Sequence, residues 1–254
     1  MSAPAQARTA SWYPDPSLVR RGTVVLLPGR GEHPGVYERF GRRLAADAYV
    51  VHVLDVAPDQ PVAQTAAQVA RTAEGAAGPL VLAGSDTGAL HALAVAAGQQ
   101  QVDALLLAGT ARTDDASGSA GSPGDWAAEL AARTACPAHR GRLDADPAFA
   151  RGSLGEPVPA ALAAAAGAAV PPAGLPVLVV HGAADEVSPP AAARRLAARL
   201  PAAHLATVAE GRHDALNDIA HRSVAATVVQ WLERLRAGAH LPVVITVEEA
   251  PPRE

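Results

Sequence analysis

The stretch Leu80-Val81-Leu82-Ala83-Gly84-Ser85-Asp86-Thr87-Gly88, followed by the helical run Ala89–Ala97, decides the fold. An apolar run short enough for a strand ends in a turn flanked by glycines and passes directly into a helix. Working outward, similar apolar runs recur at Thr23–Leu27, Tyr49–Leu54, Val102–Ala108, Val177–Val180 and His204–Val208. Helical patterns separate them. Val36, Phe40 and Leu44 fall four apart, with Glu38 and Arg42 paired on another face. Ser188-Pro189 reads as a cap and first-turn pair for a helix through Leu200, and Val224, Val228, Trp231, Leu232 and Leu235 form the apolar face of a late helix. Continuous apolar strands alternating with helices predict a doubly wound, mostly parallel α/β sheet covered on both faces.

The alternation breaks once. Between Thr110 and Gly174 a Gly/Ser/Asp-rich stretch, Thr113–Asp125, leads into two plausible helices, Trp126–Ala135 and Pro159–Ala169. A structureless connection that long is unusual, so the segment reads as an inserted cap. The expected division is a first core part over 1–110, the cap over 111–174, and a second core part over 175–254. Leu241–Val247 reads as an extra strand that could extend a sheet edge or pair two copies of the chain into a homodimer.

Composition narrows the function. Of 254 residues, 49% are hydrophobic and 18% charged, and 25 acidic against 21 basic residues give a formal net charge of −4. That balance argues against a nucleic-acid partner or a membrane-surface role. Every basic residue is Arg, which excludes Schiff-base lysine chemistry. The single cysteine, Cys136, permits neither an internal disulfide nor a thiolate metal site, and fits a cytoplasmic protein. Met1–Ala10 lacks the apolar stretch of a signal peptide. Val158–Val180 is uncharged and long enough to cross a bilayer, yet Pro159, Pro171, Pro172 and Pro176 interrupt it, so no membrane span is expected. No metal-ligand spacing, Walker pattern or dinucleotide pattern appears, and no cofactor is expected.

The chemistry gathers at strand ends. Gly84-Ser85-Asp86-Thr87-Gly88 has the layout of a nucleophile elbow, with Asp86 at its centre. Centring it on Ser85 instead would put β-branched Thr87 at a flank that suits the turn badly. Asp185 follows the strand Val177–Val180, and His213 follows His204–Val208. Nucleophile, acid and histidine thus come in chain order, and an Asp–His pair orients and charges an imidazole. The turn Pro28-Gly29-Arg30-Gly31 closes the first strand. Its backbone N–H groups, that of Arg30 among them, could join that of Thr87 in an oxyanion hole.

At these residues, from about Thr23 to Leu235, the sequence resembles the α/β-hydrolase superfamily. Gly29-Arg30-Gly31-Glu32-His33 with Tyr37-Glu38 is similar to the monoacylglycerol lipase and lysophospholipase branch. That branch implies serine at the elbow and histidine before the first glycine; here Asp86 and Pro28 stand there. An elbow aspartate resembles the epoxide hydrolases and haloalkane dehalogenases, which use it to attack saturated carbon. A carboxylate needs no base to be nucleophilic, and attack on carbon would give an alkyl ester that His213 could help hydrolyse. Dehalogenases usually have Trp after the nucleophile, where Thr87 stands, and epoxide hydrolases use cap tyrosines, whereas Tyr13, Tyr37 and Tyr49 all lie outside the cap. His139 is a candidate proton donor in their stead.

The leading expectation is a hydrolase of a small, largely apolar molecule using Asp86, His213 and Asp185. Two alternatives stay open: an esterase-like or lyase-like activity with Asp86 as base, and a non-catalytic ligand-binding member of the fold. Asp86 would then serve as a helix N-terminal aspartate. Asp114 and Asp115 are runner-up acids, and His33 and His91 could border a pocket, although His91 suits an ordinary helix position. His181 reads as structural and Cys136 as incidental.

Overall fold

The computed structural model describes residues 9–98, 101–113 and 125–246. Seven strands, β1 (Ala10–Trp12), β2 (Gly22–Leu27), β3 (Tyr49–Val53), β4 (Leu80–Ser85), β5 (Ala104–Ala108), β6 (Val177–Gly182) and β7 (Ala203–Val208), form one sheet in the order β1-β3-β2-β4-β5-β6-β7. All neighbours are parallel except β1, which pairs antiparallel with β3. The strands from β2 to β6 are buried along nearly their whole length, as a sheet covered on both faces demands.

Side-chain alternation splits the core. Val24, Leu26, Val81, Ala83, Leu106 and Val180 pack on one face, under helices α1 (Glu38–Ala46) and α8 (His221–Ala237). Val25, Leu27, Leu82, Leu105, Leu107 and Val179 pack on the other, against α2 (Val62–Ala73), α3 (Thr87–Gly98) and α7 (Pro190–Arg199). On α1 the expected pair forms, Arg42 Nε donating to Glu38 Oε1 at 2.9 Å.

The chain runs from β2 to β3 on one side and then returns to β4 on the other. Strand order therefore reverses between β2 and β4, and the carboxyl ends of those strands flank the crevice where open α/β sheets bind ligands. Leu27 pairs with Gly84 there, so the turn after β2 and the turn after β4 lie side by side.

Between β5 and β6 come α4 (Trp126–Arg133), α5 (Pro137–Ala145) and α6 (Ala160–Ala168). Sequence periodicity did not single out α5, whose residues Pro137–Ala145 include two arginines, a histidine and a glycine. It also missed β1, a strand of only three residues. The expected cap on α7 is corrected: Ser188 spends its hydroxyl on the carbonyl of Thr110 at 2.6 Å, and Pro189 takes the N-cap position. The expected tail strand is also corrected. Residues 241–246 carry no strand pairing, and Val247 lies outside the described residues. Leu241 is instead buried in the core, its carbonyl bound by Arg234 of α8. Among the described residues no helix is long and apolar enough to cross a membrane.

Candidate active site

Asp86 sits between β4 and α3 with φ at +49°, in the left-handed region that costs a non-glycine residue of order 1–3 kcal/mol. Its neighbours explain how the turn closes. A Cβ on Gly84 would collide with the backbone of Gly88, and one on Gly88 with the carbonyl of Leu27 at the end of β2. Ser85 is the last residue of β4 and is buried. Asp86 alone projects at the bend.

The loops after β6 and β7 bring Asp185 and His213 to the same edge. His213 Nδ1 lies 2.9 Å from Asp185 Oδ2, and His213 Nε2 lies 3.2 Å from Asp86 Oδ1. Asp185 Oδ1 accepts the N–H groups of Val187 and Ser188, both at 2.9 Å, which fixes the carboxylate. The His213 loop hangs from α4, its N–H donating to the carbonyl of Ala132 and that of Asp214 to the carbonyl of Arg133.

Arg30 completes the arrangement through its side chain as well as its backbone. Asp86 Oδ2 accepts the Arg30 N–H and Nε, and Oδ1 accepts Nη2, all at 2.9 Å. Nη1 of the same guanidinium reaches the carbonyls of Leu154 at 3.1 Å and Glu156 at 2.5 Å, both in the segment between β5 and β6. Asp86, His213, Asp185 and Arg30 are 2, 1, 3 and 6% exposed, so this is a desolvated four-charge array. The Arg30 N–H expected in an oxyanion hole points at Asp86 itself, while Thr87 opens α3, buried.

Desolvation opposes ionisation here, and the partners reverse it. Burial alone would raise Asp86, but the Arg30 charge and the bonds from His213 and Arg30 hold it well below the carboxylate range. Burial likewise pulls His213 down, yet Asp185 and Asp86 lift it to about 10. With a carboxylate on each ring nitrogen, His213 carries both protons and rests as an imidazolium. A base at this position exists only after one of those anions is neutralised.

A second buried cluster adjoins the first. Arg133 of α4 is forked on Glu129, lies 3.5 Å from Asp214 Oδ1, and donates to the Arg30 carbonyl at 2.8 Å. His139 faces Asp214 at 3.2 Å, so the candidate proton donor is engaged there and not with Asp86. Glu32 accepts the N–H of Gly29 at 2.8 Å and the hydroxyl of Tyr37. Burial, helped by Asp214 and opposed by Arg133, pushes it up to about 7. Sequence reasoning missed this cluster and the side-chain role of Arg30, which it read only as a backbone donor in the turn after the first strand.

The remaining candidates stand elsewhere. His33 Nε2 contacts Asp146 at 2.7 Å, on the far end of α5. His91 is a buried residue of α3 facing Pro58 and Thr65. Burial pulls His181 below the usual imidazole range, and its Nε2 lies 2.6 Å from the Ser188 carbonyl. Cys136 is buried with the Arg39 guanidinium 3.6 Å from its sulfur, which outweighs burial and lowers the thiol. Asp114 and Asp115 lie outside the described residues. A cavity of 210 Å³ borders α3, lined by Leu90, Leu93 and Leu196 together with Arg112, Arg195 and Arg199; Ala111, also in its wall, donates its N–H to the Asp86 carbonyl, but Asp86 and His213 do not line it. Among the described residues no cluster of histidine, cysteine and carboxylates could hold a metal.

Residues 128–220 match the family described as serine aminopeptidase, S33. That span holds Asp185 and His213 and does not reach Asp86. No protein of curated function matches the sequence. Solved structures resemble it throughout. A monoacylglycerol lipase from Paleococcus ferrophilus superposes with a TM-score of 0.71 at 18% identity, over 90% of this chain and 98% of its own. A soluble variant of the Saccharomyces cerevisiae monoglyceride lipase gives 0.72 at 16%, over 92% and 94%. A thermophilic esterase from Thermogutta terrifontis gives 0.64 at 20%, over 91% and 94%. The chain has the α/β-hydrolase fold.

Proposed function

We propose that the protein is a hydrolase of a small, largely apolar molecule, with Asp86 as nucleophile, His213 as base and Asp185 as its anchor. One observation carries this reading: a carboxylate at the left-handed bend after β4 stands in hydrogen-bond series with His213 and Asp185 at the sheet's topological switch point. The fold likeness and the family match over the acid and histidine loops support hydrolysis as the class.

The chemistry follows from charge. Asp86 attacks a saturated carbon, a C–O bond forms, and the bond to the leaving atom breaks with its electron pair. A halide leaves as the anion; an epoxide oxygen stays on the substrate and takes a proton. The ester formed is neutral, so His213 loses one of the two anions that hold its second proton. That proton goes to the opening oxygen of an epoxide, or to solvent when a halide has left; neutral Nε2 then takes one proton from water, the water oxygen adds to the ester carbonyl, and the alkoxide leaves with the second water proton as the alcohol, restoring the carboxylate.

Substituting Asp86 tests this against the esterase-like reading. Asp86→Asn should abolish turnover of epoxides and alkyl halides, and Asp86→Ser should gain activity on activated esters if the pocket is lipase-like. Unchanged alkyl-electrophile turnover in Asp86→Asn would remove Asp86 from the nucleophile role. A second reading, a non-catalytic binding protein, is favoured by the guanidinium that occupies both Asp86 oxygens. It predicts a ligand that binds and is never turned over.

A further inference from the structure

Each oxygen of Asp86 already has two polar partners, Arg30 N–H and Nε on Oδ2, Arg30 Nη2 and His213 Nε2 on Oδ1. No electrophile can approach that carboxylate while the guanidinium stays where it is. The same guanidinium spends its remaining nitrogen on the carbonyls of Leu154 and Glu156. One side chain thus ties Asp86 to a turn of the segment between β5 and β6.

Other contacts make this a built junction. Ala150 N–H donates to the Gly31 carbonyl at 3.0 Å. Gly31, at φ +76°, lies so close to Ser153 and the Ala150 carbonyl that any side chain there would displace them. From the other side, Glu129 accepts the N–H groups of Gly152 and Leu154. The turn Leu154–Glu156 is therefore gripped between Glu129 of its own insertion and Arg30 of the core. Only the Arg30 grip ends on Asp86.

We propose that Arg30 is a latch: its guanidinium holds the insertion turn Leu154–Glu156 shut over Asp86 and masks the carboxylate until the turn moves and the guanidinium is withdrawn. The latch deepens the proposed reaction and rests on it for its chemical consequence. A guanidinium suits the task because its planar fork meets a carboxylate at two points and leaves further donors for carbonyls. An ammonium cannot span both.

Two readouts separate the latch from the reaction. Amide hydrogen exchange at Gly155 and Glu156 is measured in wild type, Arg30→Met and Arg30→Lys. The latch predicts at least tenfold faster exchange there in Arg30→Met, an intermediate rate in Arg30→Lys, and no change in β5 or β6. Unchanged exchange at the turn overturns it, and a rise spread through β5 and β6 overturns it in favour of a structural role. The second readout is labelling of Asp86 by a nitrophenyl glycidyl ether, with His213→Gln as background. Where labelling is measurable, a rate at least tenfold faster with Arg30→Met added supports the latch, and an equal or slower rate overturns it. Local exchange raised with no labelling of either variant supports the latch and overturns Asp86 as nucleophile. Arg30→Lys, which keeps a cation beside Asp86, supplies the exchange comparison if Arg30→Met does not fold.

Discussion

Two buried clusters lie next to each other, one on the loops at the sheet edge and one on the segment between β5 and β6, and both are built from carboxylates, an arginine and a histidine. In one, Asp86, Arg30, His213 and Asp185 stand on loops after four different strands. In the other, Glu129 and Arg133 are one helical turn apart on α4, with Asp214 and His139 beside them. The inventory is the same; the placement differs. A strained bend at a switch point holds its side chain in one position, which is where the proposed chemistry is placed, whereas an i,i+4 pair on a helix holds two segments together. The comparison teaches that residue type alone does not mark a site. The backbone beneath it does.

The largest expected difference is in turnover. Asp86→Asn should reduce hydrolysis by at least about 10³-fold, because the proposed nucleophile is lost while an amide oxygen still accepts from Arg30. Arg133→Met should act on stability instead, costing roughly 3–5 kcal/mol in urea unfolding, since Glu129 and Asp214 lose their buried counter-ion. If Arg133→Met were as stable as wild type, the second cluster would not be the tie described here.

The pH dependence sharpens the same contrast. His213 is raised by folding to about 10, so its contribution is complete below about 6.5 and disappears as pH climbs to about 10. Glu32, raised by burial to about 7, adds a loss of stability as pH rises from about 4.5 to 7. Thermal unfolding followed across that range should show both slopes. Glu32→Gln should flatten the lower one and His213→Gln the upper one; an upper slope that persists in His213→Gln would contradict the assignment. The smallest effect belongs to the surface: Glu38→Gln, which loosens Arg42 and Arg142, should cost no more than about 0.5 kcal/mol.

The mostly parallel sheet was legible because buried parallel strands read as continuous apolar runs, and the boundaries at Leu27, Val208 and Ala108 agree with the structure. The tight turn between β4 and α3 was legible because two glycines bracket polar residues at a strand end. What escaped depends on long-range geometry. No local pattern tells that the Arg30 side chain folds back onto Asp86, 56 positions away, or that Ser188 leaves its helix to bind Thr110. The tail misled for a physical reason: Leu241–Ile245 is apolar and β-branched, but its leading residue is used to fill the core beside α8, and Val243, Val244 and Ile245 remain exposed.

The most direct test of the account is the mass of the intact His213→Gln variant after exposure to epoxides, alkyl halides and activated esters, followed by peptide mapping. With the base removed, the account predicts an added alkyl group that accumulates on Asp86. Absence of any adduct, while the wild-type protein turns over esters, would contradict it.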